Sequence, residues 1–415
     1  MTDTLRIVHA RMIDGTGTAP VDDAVICVDE RGVIEYAGDA DGAPVNGPST
    51  RTVDLGGRTV LPGFIDTHVH LGFEHGVPPG MRGLEDPTLQ VLDTAARIEL
   101  TLDAGVTTAR DLAGLPAGYR TAVETGRLRG PRLQTAVRAL SHTGGHGDVS
   151  LRDGTDLSGG MTEIADTVDE VRLAVRKVLR DGADLVKVCA TGGMGSPYDD
   201  PNDEGLTVDE IAAVVDELGR HGGKAVAAHA QGTAGILNAI RGGVTSIEHG
   251  YGIDDQACDL AGENGIVVVP TLSTVYAGID KDRMPHYHYQ KKVRWSGVTK
   301  ENISRAIERG VPIALGTDAA VCPHGRNLME LSYLVDLGMD PMGAIVAGTR
   351  SAARLLGLDD QLGTLEPGKL ADLVVCDGDP LSDIGVLGDP SNIVWILQGG
   401  AVRKDLLATG GESDG

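Results

Sequence analysis

Leu61-Pro-Gly-Phe-Ile-Asp-Thr-His-Val-His70 closes an apolar run on two histidines spaced two apart. In a strand, side chains at i and i+2 share a face, so the imidazoles of His68 and His70 converge on one side. Two neutral imidazoles held that way form half of a transition-metal site. A His-x-His pair alone is weak evidence, because such pairs often decorate a surface. Its weight depends on what the other strands bring to the same place.

Working outward from this stretch, the middle of the chain alternates short apolar runs with longer helical ones. The runs are Thr59–His70, Val106–Leu112, Arg132–Leu140, Ala183–Ala190, Lys224–Ala230, Val244–Gly250, Ile266–Thr271 and Val311–Asp318. Between two of them, Thr207–His221 has helical periodicity with Asp209 and Glu210 in its first turn. Eight strands alternating with helices predict a (β/α)8 TIM barrel over residues 61–357. A doubly wound open sheet is the alternative, but it explains less well why polar groups close so many of the strands.

Both ends of the chain read differently. Leu5–His9, Ala24–Val28, Gly32–Ala37 and Arg51–Leu55 are short strands punctuated by Asp14-Gly15 and Gly56-Gly57. Ala371–Val375 and Ile393–Leu397, with turns at Gly363–Lys369 and Gly399-Gly400, repeat the pattern. Residues 1–60 and 358–415 are therefore expected to meet in one small β-sandwich domain, with a disordered Gly411–Gly415 tail.

Bulk properties narrow the function. The 415 residues carry a net charge of -24, with 41% hydrophobic and 23% charged residues. That charge argues against nucleic acid and anionic membrane as partners, since phosphate binding needs a basic surface. Five scattered cysteines form neither a disulfide framework nor a Cys-x-x-Cys site. With no signal peptide and no apolar run of about 20 residues, a cytoplasmic protein acting on a small molecule is expected. Large barrel enzymes commonly form symmetric homo-oligomers, which is the expectation here.

In a barrel, chemistry sits at the C-terminal ends of the strands. Those ends present His68 and His70, Lys187, His229, His249 and Asp318. Each alone has an ordinary explanation: a packed histidine, a helix-capping aspartate, a lysine reaching for solvent. All six at the same end of one sheet do not.

The order His-x-His, Lys, His, His, Asp resembles the amidohydrolase superfamily, and the resemblance spans most of the chain. Gly105-Val-Thr-Thr108, Ser246-Ile-Glu-His249, Leu315-Gly-Thr-Asp318 and Gly363–Val375 fit it too. The resemblance implies two divalent ions, usually zinc. His68, His70 and Asp318 would bind one, His229 and His249 the other, and Lys187, as its carbamate (N6-carboxylysine), would bridge both. Two such ions about 3.5–4 Å apart would activate a bridging hydroxide, with Asp318 as general acid and base. A lysine rather than a glutamate on the fourth strand points away from mononuclear deaminases.

Ser141-His-Thr-Gly-Gly-His-Gly-Asp148 and Thr191-Gly-Gly-Met-Gly-Ser-Pro-Tyr198 resemble a narrower group of Xaa-Pro dipeptidases, metallo-carboxypeptidases and ochratoxin-type amidases, loosely called imidazolonepropionase-like. This implies cleavage of an amide or peptide bond in a dipeptide or N-acyl amino acid. A carbamate, ester, lactone or urea-like bond uses the same hydroxide, and deamination of a heterocycle is a further alternative. His142 is the candidate to polarise the scissile carbonyl; His146 and Tyr198 are candidate substrate contacts. His286 and His288 mimic a metal pair, but they lie in a Lys- and Arg-rich segment and read as lid or substrate-loop residues. The specificity loops 72–95, 141–160, 191–206 and 273–300 cannot be decoded by spacing.

Overall fold

The computed structural model describes residues 4–45, 50–77, 86–150, 154–158, 160–277, 279, 281–282 and 284–407. The Gly411–Gly415 tail, and stretches 78–85 and 151–153 of the specificity loops, lie outside the described residues. The chain folds as two compact units: Met1–Asp66, Leu100–Thr108 and Gly325–Gly415 form one, and Thr67–Glu99 and Ala109–His324 the other.

The first five strands are β1 (Leu5–Met12), β2 (Val21–Val28), β3 (Ile34–Asp39), β4 (Arg51–Asp54) and β5 (Thr59–Pro62). The next group is β6 (Phe64–Val69), β7 (Val106–Asp111), β8 (Arg132–Thr135), β9 (Ala139–Ser141), β10 (Thr162–Ile164), β11 (Val186–Cys189), β12 (Val226–Ala230), β13 (Ser246–His249) and β14 (Val267–Val269). The chain closes with β15 (Leu373–Cys376), β16 (Ile393–Gln398) and β17 (Ala401–Asp405).

Strands from both ends share one eight-stranded sheet ordered β17-β16-β15-β5-β1-β2-β3, with β4 also paired to β1. Its buried face gathers Ile7, Ile26, Leu373, Trp395 and Leu397. The remaining strands form a six-stranded parallel sheet, β10-β9-β11-β12-β13-β14, and a three-stranded one, β6-β7-β8. The strands of the six-stranded sheet alternate with helices such as Val168–Arg180, Val208–Gly219 and Thr233–Gly242, giving a mixed α/β chain.

The structure redraws three of the expected strands. Thr59–His70 is two strands, broken where Gly63 donates to the Asp372 carbonyl at 2.8 Å. β5 joins the terminal sheet and β6 the three-stranded one. A Cβ at Gly63 would lie 2.3 Å from Thr107 Oγ1, so no larger residue fits the break. Arg132–Leu140 also splits, around Val137 with φ 62°, and its halves enter different sheets. Val311–Asp318 makes one isolated parallel bridge, Val268 to Ile313, instead of a ladder, and the residue after it, Ala319, bridges Val69. An unexpected strand, β10, pairs with β9.

The helix expected over Thr207–His221 runs Val208–Gly219. Thr207 and Glu210 form a reciprocal capping box that satisfies two of its first amide groups.

Candidate metal centre

Two backbone hydrogen bonds set Asp318 beside the histidines of β6. Asp318 N–H donates to the His68 carbonyl at 2.7 Å, and His70 N–H donates to the Ala319 carbonyl at 2.9 Å. Asp318 adopts φ 58°, a left-handed conformation that costs free energy for a residue with a Cβ. The ligand atoms of His68, His70 and Asp318 come within 4.8 Å of one another, a grouping able to hold a metal ion.

Tautomers follow from the outer hydrogen bonds. His70 Nδ1 can only donate to the Ala113 carbonyl, 2.9 Å away. His68 Nδ1 faces Glu248 Oε2 at 2.9 Å. Both rings therefore turn an Nε2 lone pair inward, 3.2 Å and 3.5 Å from Asp318 Oδ1. That oxygen accepts no hydrogen bond of proper geometry. Three lone pairs facing one another repel unless a cation lies among them. A proton held between His70 and Asp318 relieves the same repulsion, and the titrations of that pair run in this direction. Burial pushes the Asp318 carboxyl up, but the facing His68 and His70 rings outweigh it and hold it well below the ordinary range. Burial lowers His70, and Asp318 more than reverses it. Burial leaves His68 neutral.

The second half comes from neighbouring strands in register. β11 and β12 pair Cys189 with His229, and β12 and β13 pair His229 with Glu248. Paired residues of parallel strands face the same way, and Lys187 lies two before Cys189, so Lys187, His229 and Glu248 share one face. His249, next to Glu248, should point oppositely. Its φ of 75° breaks the alternation and leaves its ring 5.1 Å from that of His68 and 4.6 Å from that of His229.

His229 Nε2–H donates to the Gly192 carbonyl at 3.0 Å, which leaves Nδ1 as the free lone pair. His249 Nδ1 lies 2.7 Å from Thr271 Oγ1, leaving its Nε2. Burial depresses His229 far below its usual pKa and His249 to about 3, so both rings are neutral. Lys187 is 4% exposed and its Nζ has no hydrogen-bond partner. Burial lowers its pKa, favouring the free amine.

Sequence reasoning passed over the groups that hold these rings. Glu248 is completely buried; besides His68 it accepts from Arg110 Nη2 at 2.9 Å and from Ser246 Oγ. Arg110, also buried, donates through Nε to the Thr67 carbonyl. Alternation hid Glu248: counted back from an inward His249 it falls on the opposite face, and only the left-handed φ of His249 lets both point inward. Thr271 (φ 47°) and Asp111 are further supports. The Asp111 carboxylate accepts from the Leu71 and Ala113 amides, and its pKa is pushed by burial up to about 7.

The outlying candidates are placed unevenly. His146 stacks on His229 with centroids 4.0 Å apart and is held by Asp199 at 2.9 Å. His142 is half-buried and bonds the carbonyl of the next residue, Thr143. Tyr198 is 83% exposed. His286 and His288 begin a 23-residue helix, His286–Glu308. Lys291 of that helix donates to the carbonyls of Gly193, Ser196 and Asp199 and so pins the 193–199 loop. Arg294 pairs with Asp200.

Parallel α/β sheets carrying a His-His-Asp group able to hold a metal ion suit a metal-dependent hydrolase. The amidohydrolase family model matches residues 59–402. The chain belongs to that family and is a hydrolase acting on carbon–nitrogen bonds. It is 32% identical over 367 residues to ochratoxinase of Aspergillus niger, covering 83% of this chain and 75% of the relative. A solved Xaa-Pro dipeptidase with methionine in its active site superposes with a TM-score of 0.87 at 33% identity, covering 96% of this chain and 99% of the other. A prolidase complexed with N-methylphosphonate-L-proline gives 0.88 at 31%, covering 97% of this chain and 100% of the other.

Proposed function

We propose that this protein is a binuclear, metal-dependent hydrolase of the amide or peptide bond in a dipeptide or N-acyl amino acid. The observation that carries the reading is the convergence of three lone pairs, from His68, His70 and Asp318, on one point. Those residues would hold one divalent ion, zinc by the nature of the donors, and His229 and His249 the second. Lys187, as its carbamate, would serve both. An ammonium cannot ligate a cation, and a buried amine with no partner suits carboxylation better than a charged end.

Divalent ions there would supply Lewis acidity, polarising a carbonyl and lowering the pKa of water. Asp318, ionised across the physiological range, takes the proton of the attacking water and returns it to the leaving nitrogen. His142 is assigned to the scissile carbonyl, and His146 and Tyr198 to the substrate. The substrate class draws support from relatives named for a dipeptide bond and bound to methionine or a prolyl phosphonate. In the same reading, residues 61–357 close as a (β/α)8 barrel, residues 1–60 and 358–415 form a β-sandwich-like domain, and the chain works as a cytoplasmic homo-oligomer.

The test is elemental analysis of protein purified without chelator, with a hydrolysis screen of dipeptides and N-acyl amino acids. Lys187→Ala is expected to lose at least one metal equivalent and most turnover. A Lys187→Ala protein with two metals per chain and near-normal turnover would sink the reading.

A further inference from the structure

We infer that Lys292 receives the carboxylate of the substrate, making the enzyme selective for acyl amino acids with a free carboxyl group over neutral amides. The inference rests on the hydrolase reading above and deepens it.

The helix His286–Glu308 buries one stripe, Lys292, Trp295, Thr299, Ile303 and Ala306, at the 3- and 4-residue spacing of a single face. Its last two positions are apolar, as a packed stripe should be. Its first three carry polar atoms that the fold uses little or not at all. Trp295 Nε1 and Thr299 Oγ1 are buried without a hydrogen-bond partner. Lys292 is 3% exposed, and its Nζ makes one long contact, 3.4 Å to the Ala277 carbonyl. Among the described residues no carboxylate forms an ion pair with it.

A buried ammonium without a counter-ion costs several kcal/mol, and a methionine or leucine would fill the position without that cost. Its neighbour shows the contrast. Lys291 satisfies its ammonium on three carbonyls and lies 3.8 Å from Asp199 Oδ1. Lys291 is a fastener; Lys292 lacks an anion.

The stripe lies beside the reacting centre. Burial lowers the Lys292 pKa, and Cys322 and then Asp318 act on it in the opposite direction. Trp295 packs with Met194, Tyr251 and Val275, and the Tyr251 ring lies 5.5 Å from that of His249. A substrate carboxylate offers two oxygens. One suits the Lys292 ammonium, and the other suits the indole N–H of Trp295, one turn further along the same face.

Acetate release is measured from N-acetyl-L-amino acids and from the matching N-methylamides, with wild type, Lys292→Met and Lys292→Arg. Wild type is expected to prefer the acids at least tenfold in kcat/KM. Lys292→Met should lower the acid-to-amide ratio about a hundredfold, mainly through KM. Lys292→Arg should keep most of the preference. Metal content and melting temperature are read on each variant, and inhibition of wild type by the free amino acids gives a readout free of any substitution. Equal losses on acids and amides, or a wild type indifferent to the carboxyl group, would overturn the role of Lys292 and leave the hydrolase reading standing. A wild type that cleaves neither series would remove that reading and this inference with it.

Discussion

The four inward histidines owe their chemistry to partners outside the centre. His70 is oriented by the Ala113 carbonyl, His68 by Glu248, His229 by the Gly192 carbonyl and His249 by Thr271. Each outer hydrogen bond fixes which nitrogen is left with a lone pair, and burial keeps three of the rings neutral. Thr271 is the simplest of these supports to test. Thr271→Val keeps the side-chain volume but removes the oxygen 2.7 Å from His249 Nδ1. It should weaken metal affinity about 10- to 100-fold, measured by chelator competition, while Thr271→Ser stays near wild type. Identical affinities in the valine and serine variants would mean that the hydroxyl does not orient the ring.

The helices behind the parallel strands are tied to one another by charge. Glu217 of Val208–Gly219 is buried and takes two bonds from Arg176, at 2.7 and 3.2 Å, and one from Arg172 at 3.3 Å, both on Val168–Arg180. The Arg176 guanidinium, with help from His221 and Arg172, lowers the Glu217 carboxyl from 4.5 to about 2. A carboxyl depressed in the folded state stabilises fully above its unfolded pKa, and the benefit disappears as pH falls through the folded one. Glu217→Gln should therefore cost about 1–2 kcal/mol at neutral pH, because the arginines it abandons still reach solvent. The gap to wild type should close between pH 4.5 and about 2 in denaturant titrations. A gap independent of pH would assign the loss to packing instead of charge.

For the protein as a whole, the proposed metal centre ties metal binding to the fold. Three lone pairs and a buried unpaired amine are a poor arrangement without cations, so loaded and stripped protein should differ in stability. A ligand at a thousand times its Kd stabilises by about 4 kcal/mol. Chelation should lower the melting temperature by several degrees and abolish turnover, and re-addition of zinc should restore both. Identical melting curves for stripped and loaded protein would argue that no ion binds at this centre. Among the described residues no helix is long and apolar enough to cross a membrane.

Legibility in the sequence followed the range of the interaction. Period two on an apolar strand made His68 and His70 readable as a pair, and the capping pattern at Thr207 and Glu210 placed a helix start, because both are set by backbone geometry within a few residues. Alternating strands and helices likewise announced parallel α/β structure. Pairing partners were a different matter. Gly63 and Val137 each divide an apolar run between two sheets, and the cause lies in Asp372 and Thr107 for the first, far away in the chain. The inward turn of His249 depends on a left-handed φ that no local pattern signals. Glu248 meets His68 across 180 residues, and Arg110 meets Glu248 across 138. Lys292 reads as one more basic residue in a charged segment until burial without an anion sets it apart. Periodicity reports only which face a side chain occupies; what that face meets is set by register and long-range packing, which brought these side chains together.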